Sequence, residues 1–582
     1  MQSYLPTLLL LLAQGVSSLP QQAAEKGVPA PPSPEPIKLQ TLPLPSAIAD
    51  DAGPGDCHSA VNPKGTGCTG KALHLGSGSF LPDGKHVLVQ VTFVGAPVAP
   101  DKASIYTGTQ LIAVKTDGTK FPNGDPWKCL SCGVYREKTE ELEYPQAFRD
   151  GKRALGGSSI LDCGKYDLSI RWNRNNDGSG LGDDIRELRL HPDKVHLGFN
   201  SFTQVDGKLR QNAYFSKLSF NPSPKTGLPL GPRYDLLNVT LLFEPNDQQP
   251  VEVKGDELVI NPEAITVGEL RGFTGDGKEV TYVGYPAESS NIDAFAVDLT
   301  TGVVRRLTNH PEYVDPLDFS PDSEWFVVMD TRDTDRQMWL SAMSHPPNYR
   351  PSQYYGDRKN YYGQRVNNQG SGVAGSGDYN DPEWNARADP RGSPDGTQVV
   401  WWDEITLYPA CGGLNPLPCY PSTEPEGRAQ RAVVATITIR KPYAPVKVKI
   451  ASDTVPWGIP YVPGSKDVAR PRHSGYAKVQ LQDSSAGSLS SVSVKYFKFS
   501  DDGKFVLNGT ESVKTTSGSA TLTLIDWRSG LVQRVGGVVN TKKTSPGGFQ
   551  LSIDVLTNIF NANGTLTTTV DGKTYHQPAN GT

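Results

Sequence analysis

Along most of the chain, short apolar runs alternate with clusters of Asp, Gly, Pro and Ser. The same punctuation recurs in FLPDGKHVLVQV (80–91), FTGDGKEVTYVG (273–284), FSPDSEWFVVMD (319–330), GSPDGTQVVWWD (392–403) and FSDDGKFVLNGT (499–510). AFRDGKRALGGS (147–158) and RLHPDKVHLGFN (189–200) are weaker copies. Each predicts a tight turn opening into a β-branched, aromatic strand, because Asp bonds its own backbone and Gly supplies positive φ. No long stretch of 3.6-residue periodicity competes, which excludes a helix-rich fold.

The turn aspartates are Asp83, Asp150, Asp193, Asp276, Asp322, Asp395 and Asp502. The shortest intervals, 43 residues from Asp150 to Asp193 and 46 from Asp276 to Asp322, match the period of propeller blades. The prediction is an all-β chain, a single β-propeller over 54–582 with about seven four-stranded blades. The long interval before Asp502 leaves room for an eighth. The blade style, best seen in RRLTNHPEYVDPLDFSPD (305–322), resembles the TolB-like propellers over most of residues 70–535. That resemblance implies that the segment before each turn is the innermost strand, lining the central channel.

Seven residues before the turn aspartates stand Gly76, Glu143, Arg186, Glu269, Asp315, Ala388 and Lys495; Arg387 and Asp389 flank Ala388. Five of these seven are charged in a chain that is 20% charged. Equivalent offsets share a face of the strand, so the charges are expected at one channel mouth. Three carboxylates there repel one another unless a ligand, a shared proton or ion pairing uses them. Glu269 and Asp315, on adjacent blades, form the expected catalytic pair, with Glu143 in reserve. Arg186, Arg387, Asp389, Lys495, His74, Arg332 and Trp402 are the substrate-binding candidates. Salt bridges across a water-filled channel are the competing explanation.

Composition narrows the function classes. A formal net charge of −5 argues against a nucleic-acid-binding surface. The first 18 residues carry a short apolar run, Leu8 to Leu12, then small residues, the pattern of a secretory signal peptide and too short to span a bilayer. Residues 19–53 are Pro-rich and predict an extended arm. A secreted, extracellular protein with no membrane partner is expected. The sequons at Asn238, Asn508, Asn563 and Asn580 are consistent with N-glycans. Cys57–Cys68 and Cys411–Cys419 close short loops suited to disulfides, whereas Cys129, Cys132 and Cys163 leave one thiol over. The nine histidines form no paired ligand spacing, so neither a metal nor a cofactor is expected. No G-x-S-x-G elbow is present.

These features suit hydrolysis of a glycoside, which needs one protonated carboxyl and one carboxylate. The length, leader, Pro-rich arm and the segment DYNDPEWNARADPRGSPDGTQVVWWDEITLYPACGG also resemble the secreted saponin hydrolases of filamentous fungi. That resemblance implies a β-glucuronidase releasing a glucuronic-acid-headed sugar chain from a triterpenoid saponin; it assigns no catalytic residue. The alternatives are a uronate lyase and a non-enzymatic propeller that binds carbohydrate or protein.

Overall fold

The fold comes from a computed structural model that describes residues 35–581 apart from internal stretches, the longest being 345–383 and 466–488. Strands make up 49% and helices 3% of it, so the all-β expectation holds. The propeller is built from successive, mostly antiparallel blades. The first blade contains His86–Val94 and Gly108–Lys115; the second, Gln146–Ala147 to Tyr166–Arg171; the third, Arg186–Leu190 to Arg233–Leu241. The fourth runs from Glu269–Phe273 to Val304–Arg306, and the fifth holds Val314–Phe319 and Phe326–Asp330. The sixth holds Arg391–Gly392, Gln398–Ile405 and Gln430–Ile437.

Apolar clusters join each blade to the next and the sixth to the first, so the ring closes. The turns are built as their composition requires. Asp83, Asp150, Asp193, Asp276, Asp322 and Asp395 each accept a bond from the backbone N–H two residues on, at 2.8–3.1 Å.

Two features depart from the sequence expectation. The Pro-rich segment does not stay outside the fold: Ile37–Thr41 pairs antiparallel with the sixth blade, from Ile37 opposite Ile437 to Thr41 opposite Val433. IKLQT is an alternating run, and pairing it covers a sheet edge that would otherwise be open. Second, the turn near Asp502 opens no blade of the ring. It lies in a C-terminal sheet of six strands, Leu489–Phe499 to Lys573–His576, which curls into a nearly closed barrel. Its strands reach 17 residues. An Asp-Gly turn marks any hairpin, and the expectation of about seven blades, or eight, counted this one. Among the described residues the ring's strands fall in five sheets, because Tyr166–Arg171 of the second blade pairs in parallel with Arg233–Leu241 of the third and joins the two into one sheet.

Disulfides join Cys57–Cys68, Cys129–Cys132 and Cys411–Cys419; Cys163 lies outside the described residues. No helix among the described residues is long and apolar enough to cross a membrane.

Candidate active site

The innermost strands do not run as regular ladders. Their pairing shifts between Arg186 and Arg189, between Leu270 and Gly272, and between Val314 and Leu317. Glu187 has φ of 53°. Such bulges re-aim side chains that strict alternation would turn away. The result is a cluster of side chains from three adjacent blades, with a second tier of charges beneath it.

Arg271 is the hub of the cluster. Its Nη1 lies 3.3 Å from Glu187 Oε1 and its Nη2 3.0 Å from Glu269 Oε1, and Nη2 also bonds Asp315 Oδ2. Arg186 Nη2 pairs with Glu187 Oε1 at 2.6 Å, and its Nη1 comes within 3.8 Å of Glu269 Oε1. The Arg186 guanidinium also stands 4.8 Å from the centre of the Phe202 ring. Asn200 Nδ2 donates to Glu187 Oε2 at 3.0 Å, and the Tyr313 hydroxyl donates to Asp315 Oδ2 at 2.8 Å. Asp315 Oδ1 and Arg271 Nε are buried without a protein hydrogen-bond partner.

In the second tier, Arg189 of the third blade makes a two-pronged pair with Asp389 of the sixth, at 3.1 and 3.2 Å. This buried pair ties the inner strand of the third blade to the segment that enters the sixth. Arg391 joins Asp389 at 2.9 Å to Asp318 at 3.1 Å, and the Gly392 N–H also donates to Asp318. Tyr144 lies face-on to Arg189 at 4.1 Å.

These surroundings separate the carboxyl groups electrostatically. Burial pushes Glu269 up to about 7; Arg271 opposes this, while Asp315 and Glu187 add to it. Burial would raise Glu187 as well, but Arg271, Arg186 and Arg189 outweigh it and hold Glu187 below the ordinary range. Asp315 is raised, because burial exceeds the pull of Arg271. Asp389 is lowered: burial opposes ionisation, but Arg189 and Arg391 prevail. Two carboxyls of one cluster are thus shifted in opposite directions, Glu269 up to about 7 and Glu187 down. This is the division of roles that paired acid–base chemistry requires.

Of the residues expected from sequence, Glu269, Asp315 and Arg186 meet in the cluster, and Asp389 lies in the tier beneath. Glu143 is exposed, and it is its neighbour Tyr144 that reaches Arg189. Lys495 does not join: it is exposed on the C-terminal sheet, opposite Thr510. Trp402 is half-buried against the apolar cluster between the sixth and first blades, where its ring serves packing. His74, Arg332 and Arg387 lie outside the described residues. Sequence reasoning missed Arg271, Glu187, Arg189, Asp318, Arg391, Tyr144 and Tyr313. One signal was available: four residues before the turn aspartates stand Arg189, Asp318 and Arg391. Among the described residues, no group of His, Cys, Asp and Glu is arranged to hold a metal ion.

No protein-family model and no curated protein matches the chain. Among solved structures, it is similar to a protein of Agrobacterium tumefaciens described as TolB. Identity there is 15%, over 48% of this chain and 75% of that one, with a TM-score of 0.25. The β-propeller domain of the Trilobed protease from Pyrococcus furiosus, described as an open velcro topology, matches at 10% identity over 45% and 75%, TM-score 0.22. The periplasmic gluconolactonase of Pseudomonas aeruginosa matches at 10% identity over 81% and 94%, TM-score 0.18. At these similarities the fold rests on the sheets themselves.

Proposed function

We propose that the protein is a secreted glycoside hydrolase that releases a glucuronic-acid-headed sugar chain from a triterpenoid saponin, with Glu269 as the proton donor. The observation that carries this reading is that the carboxyl raised to about 7 is also the most accessible of its cluster. Side-chain exposure is 27% for Glu269, against 4% for Glu187 and 9% for Asp315. A general acid needs both properties. Asp315 is the second carboxyl of the pair: Arg271 and Tyr313 hold its Oδ2, and its Oδ1 is buried without a protein partner. Arg186, 36% exposed beside Glu269, offers the contact for a uronate carboxylate, which arginine binds in two-pronged fashion.

Secretion and glycosylation belong to the same proposal. The three disulfides suit an oxidising compartment, and Asn238, Asn563 and Asn580 are exposed sequon positions. A second reading, a propeller that only binds carbohydrate or protein, draws on the fact that Glu187, Asp315 and Asp389 each already contact an arginine. Incubation with an aryl glucuronide, with and without chelator, separates the cases. Chelator-insensitive release of the phenol supports the hydrolase. An unsaturated product absorbing in the ultraviolet indicates a lyase, and no product at all indicates the binder.

A further inference from the structure

The short helix Met338–Ser341 belongs by sequence to the stretch between the fifth and sixth blades, yet it ends inside the C-terminal barrel. Trp339 is 1% exposed, with its ring 5.4 Å from Phe549 and 6.0 Å from Phe560. Met338 and Leu340 share that cluster with Ile525, Trp527 and Leu551 of the barrel. Two barrel side chains bond the helix backbone and its exit: Thr568 Oγ1 donates to Trp339 O at 2.6 Å, and Gln533 Nε2 to Ser344 O at 2.6 Å. A short segment of the ring's chain therefore helps to complete the barrel core.

The other end of the helix is fixed to the ring. The Gln337 N–H donates to Glu312 Oε1 at 3.3 Å, and Asn291 Nδ2 bonds both Gln337 Oε1 and, at 3.3 Å, Pro311 O. Glu312 is 1% exposed. It immediately precedes Tyr313, whose hydroxyl holds Asp315. A continuous line of packed and hydrogen-bonded groups thus runs from the barrel through Trp339, Gln337 and Glu312 to Tyr313 and Asp315.

We infer that the C-terminal barrel is a positioning element for the channel cluster: it grips the helix, and the helix fixes the entry of the strand that carries Asp315. Gln337 and Trp339 are then positioning residues, acting through Glu312 and Tyr313. Their effect on turnover rests on the hydrolase reading, but their effect on the strand does not. Small displacements of reacting groups cost large factors in rate; a 1 Å misplacement can cost about 100-fold. A barrel that were an independent appendage would transmit nothing.

The test uses the full-length protein with Thr568→Val, Trp339→Ala, Gln337→Ala and Glu312→Gln. Hydrogen exchange is measured on peptides spanning 311–319 and 489–576, and kcat, KM and the pH–rate profile on an aryl glucuronide. Thr568→Val is isosteric and tests the barrel end without emptying its core. The expected result is faster exchange across 311–319 in Thr568→Val, Trp339→Ala and Gln337→Ala. With it should come a fall in kcat of about 10- to 100-fold for the latter two, a shifted pH profile, and KM within about twofold. Glu312→Gln keeps the acceptor for the Gln337 N–H and should stay near wild type. Exchange that changes only within 489–576, leaving 311–319 as in wild type, overturns the inference. If the wild-type protein cleaves no glucuronide, the hydrolase reading fails, and the exchange data still decide the positioning role.

Discussion

Replacing Glu269 with glutamine should make the folded protein more stable at alkaline pH, although it removes a partner of Arg271. Glu269 is raised from the ordinary 4.5 to about 7. A carboxyl with a raised folded pKa binds its proton more tightly folded than unfolded, so stability is lost as pH climbs from about 4.5 through about 7 and is flat above. At 1.36 kcal/mol per unit, the full shift corresponds to a ceiling of about 3 kcal/mol. The side chain is 27% exposed, and solvent screening reduces the expected gain to roughly 1–2 kcal/mol. Glutamine keeps an oxygen for Arg271 Nη2, 3.0 Å away, and removes the charge that must be desolvated. Urea denaturation of both proteins at about pH 5 and about pH 8 measures the difference. The expected outcome is a higher midpoint for Glu269→Gln at the upper pH and near coincidence at the lower. A variant less stable than wild type at both values would show that Glu269 is a structural ion-pair partner, and the argument for a strained proton donor would be wrong.

Two further outcomes follow from the same electrostatics. Arg271→Met leaves buried Asp315 without the cation that touches it and leaves buried Glu187 with Arg186 alone. The expected loss is about 3–5 kcal/mol at neutral pH, smaller on acidification as the carboxylates protonate, read from the same urea series; an equal loss at both pH values would mean the cost is packing. His196 is clamped between Asp193 at 2.8 Å and Asp453 at 2.9 Å. Burial works against its charge, but the two carboxylates raise its pKa overall, and those of Asp193 and Asp453 are lowered. Its stabilisation is full below the ordinary histidine pKa and disappears as pH rises through the raised one, whereas that of the two aspartates disappears as pH falls. His196→Asn should therefore flatten the alkaline limb of a melting-temperature profile, and an unchanged limb would contradict the clamp.

The ring was legible because its turns are local chemistry: an aspartate bonding the backbone two residues on is the same device at Asp83 and Asp395. Glu269, Asp315 and Arg186 were legible for the same reason, as a shared offset from that turn. Glu187 and Arg271 were not, because the offset rule assumes regular pleating and the inner strands bulge between these positions. Lys495 shares the offset but stands on a hairpin of another sheet. Trp402 was open to either role from sequence, and burial against Val400 and Val434 made it core. The pairing of Ile37–Thr41 with Gln430–Ile437, and the seating of Trp339 among Phe549 and Phe560, join segments far apart in the chain. No periodicity within either partner signals such a contact.

Whether Glu269 protonates the leaving oxygen is read from the dependence of rate on the leaving group. Wild type and Glu269→Gln, each shown to be folded, are compared on a nitrophenyl glucuronide, whose leaving group needs little protonation, and on a saponin glucuronide, whose alcohol needs it. Chelator-insensitive cleavage of both by wild type is expected, with kcat/KM of the variant falling about 10²- to 10⁴-fold on the saponin and much less on the nitrophenyl substrate. A variant that cleaves both substrates at the wild-type rate would contradict proton donation by Glu269.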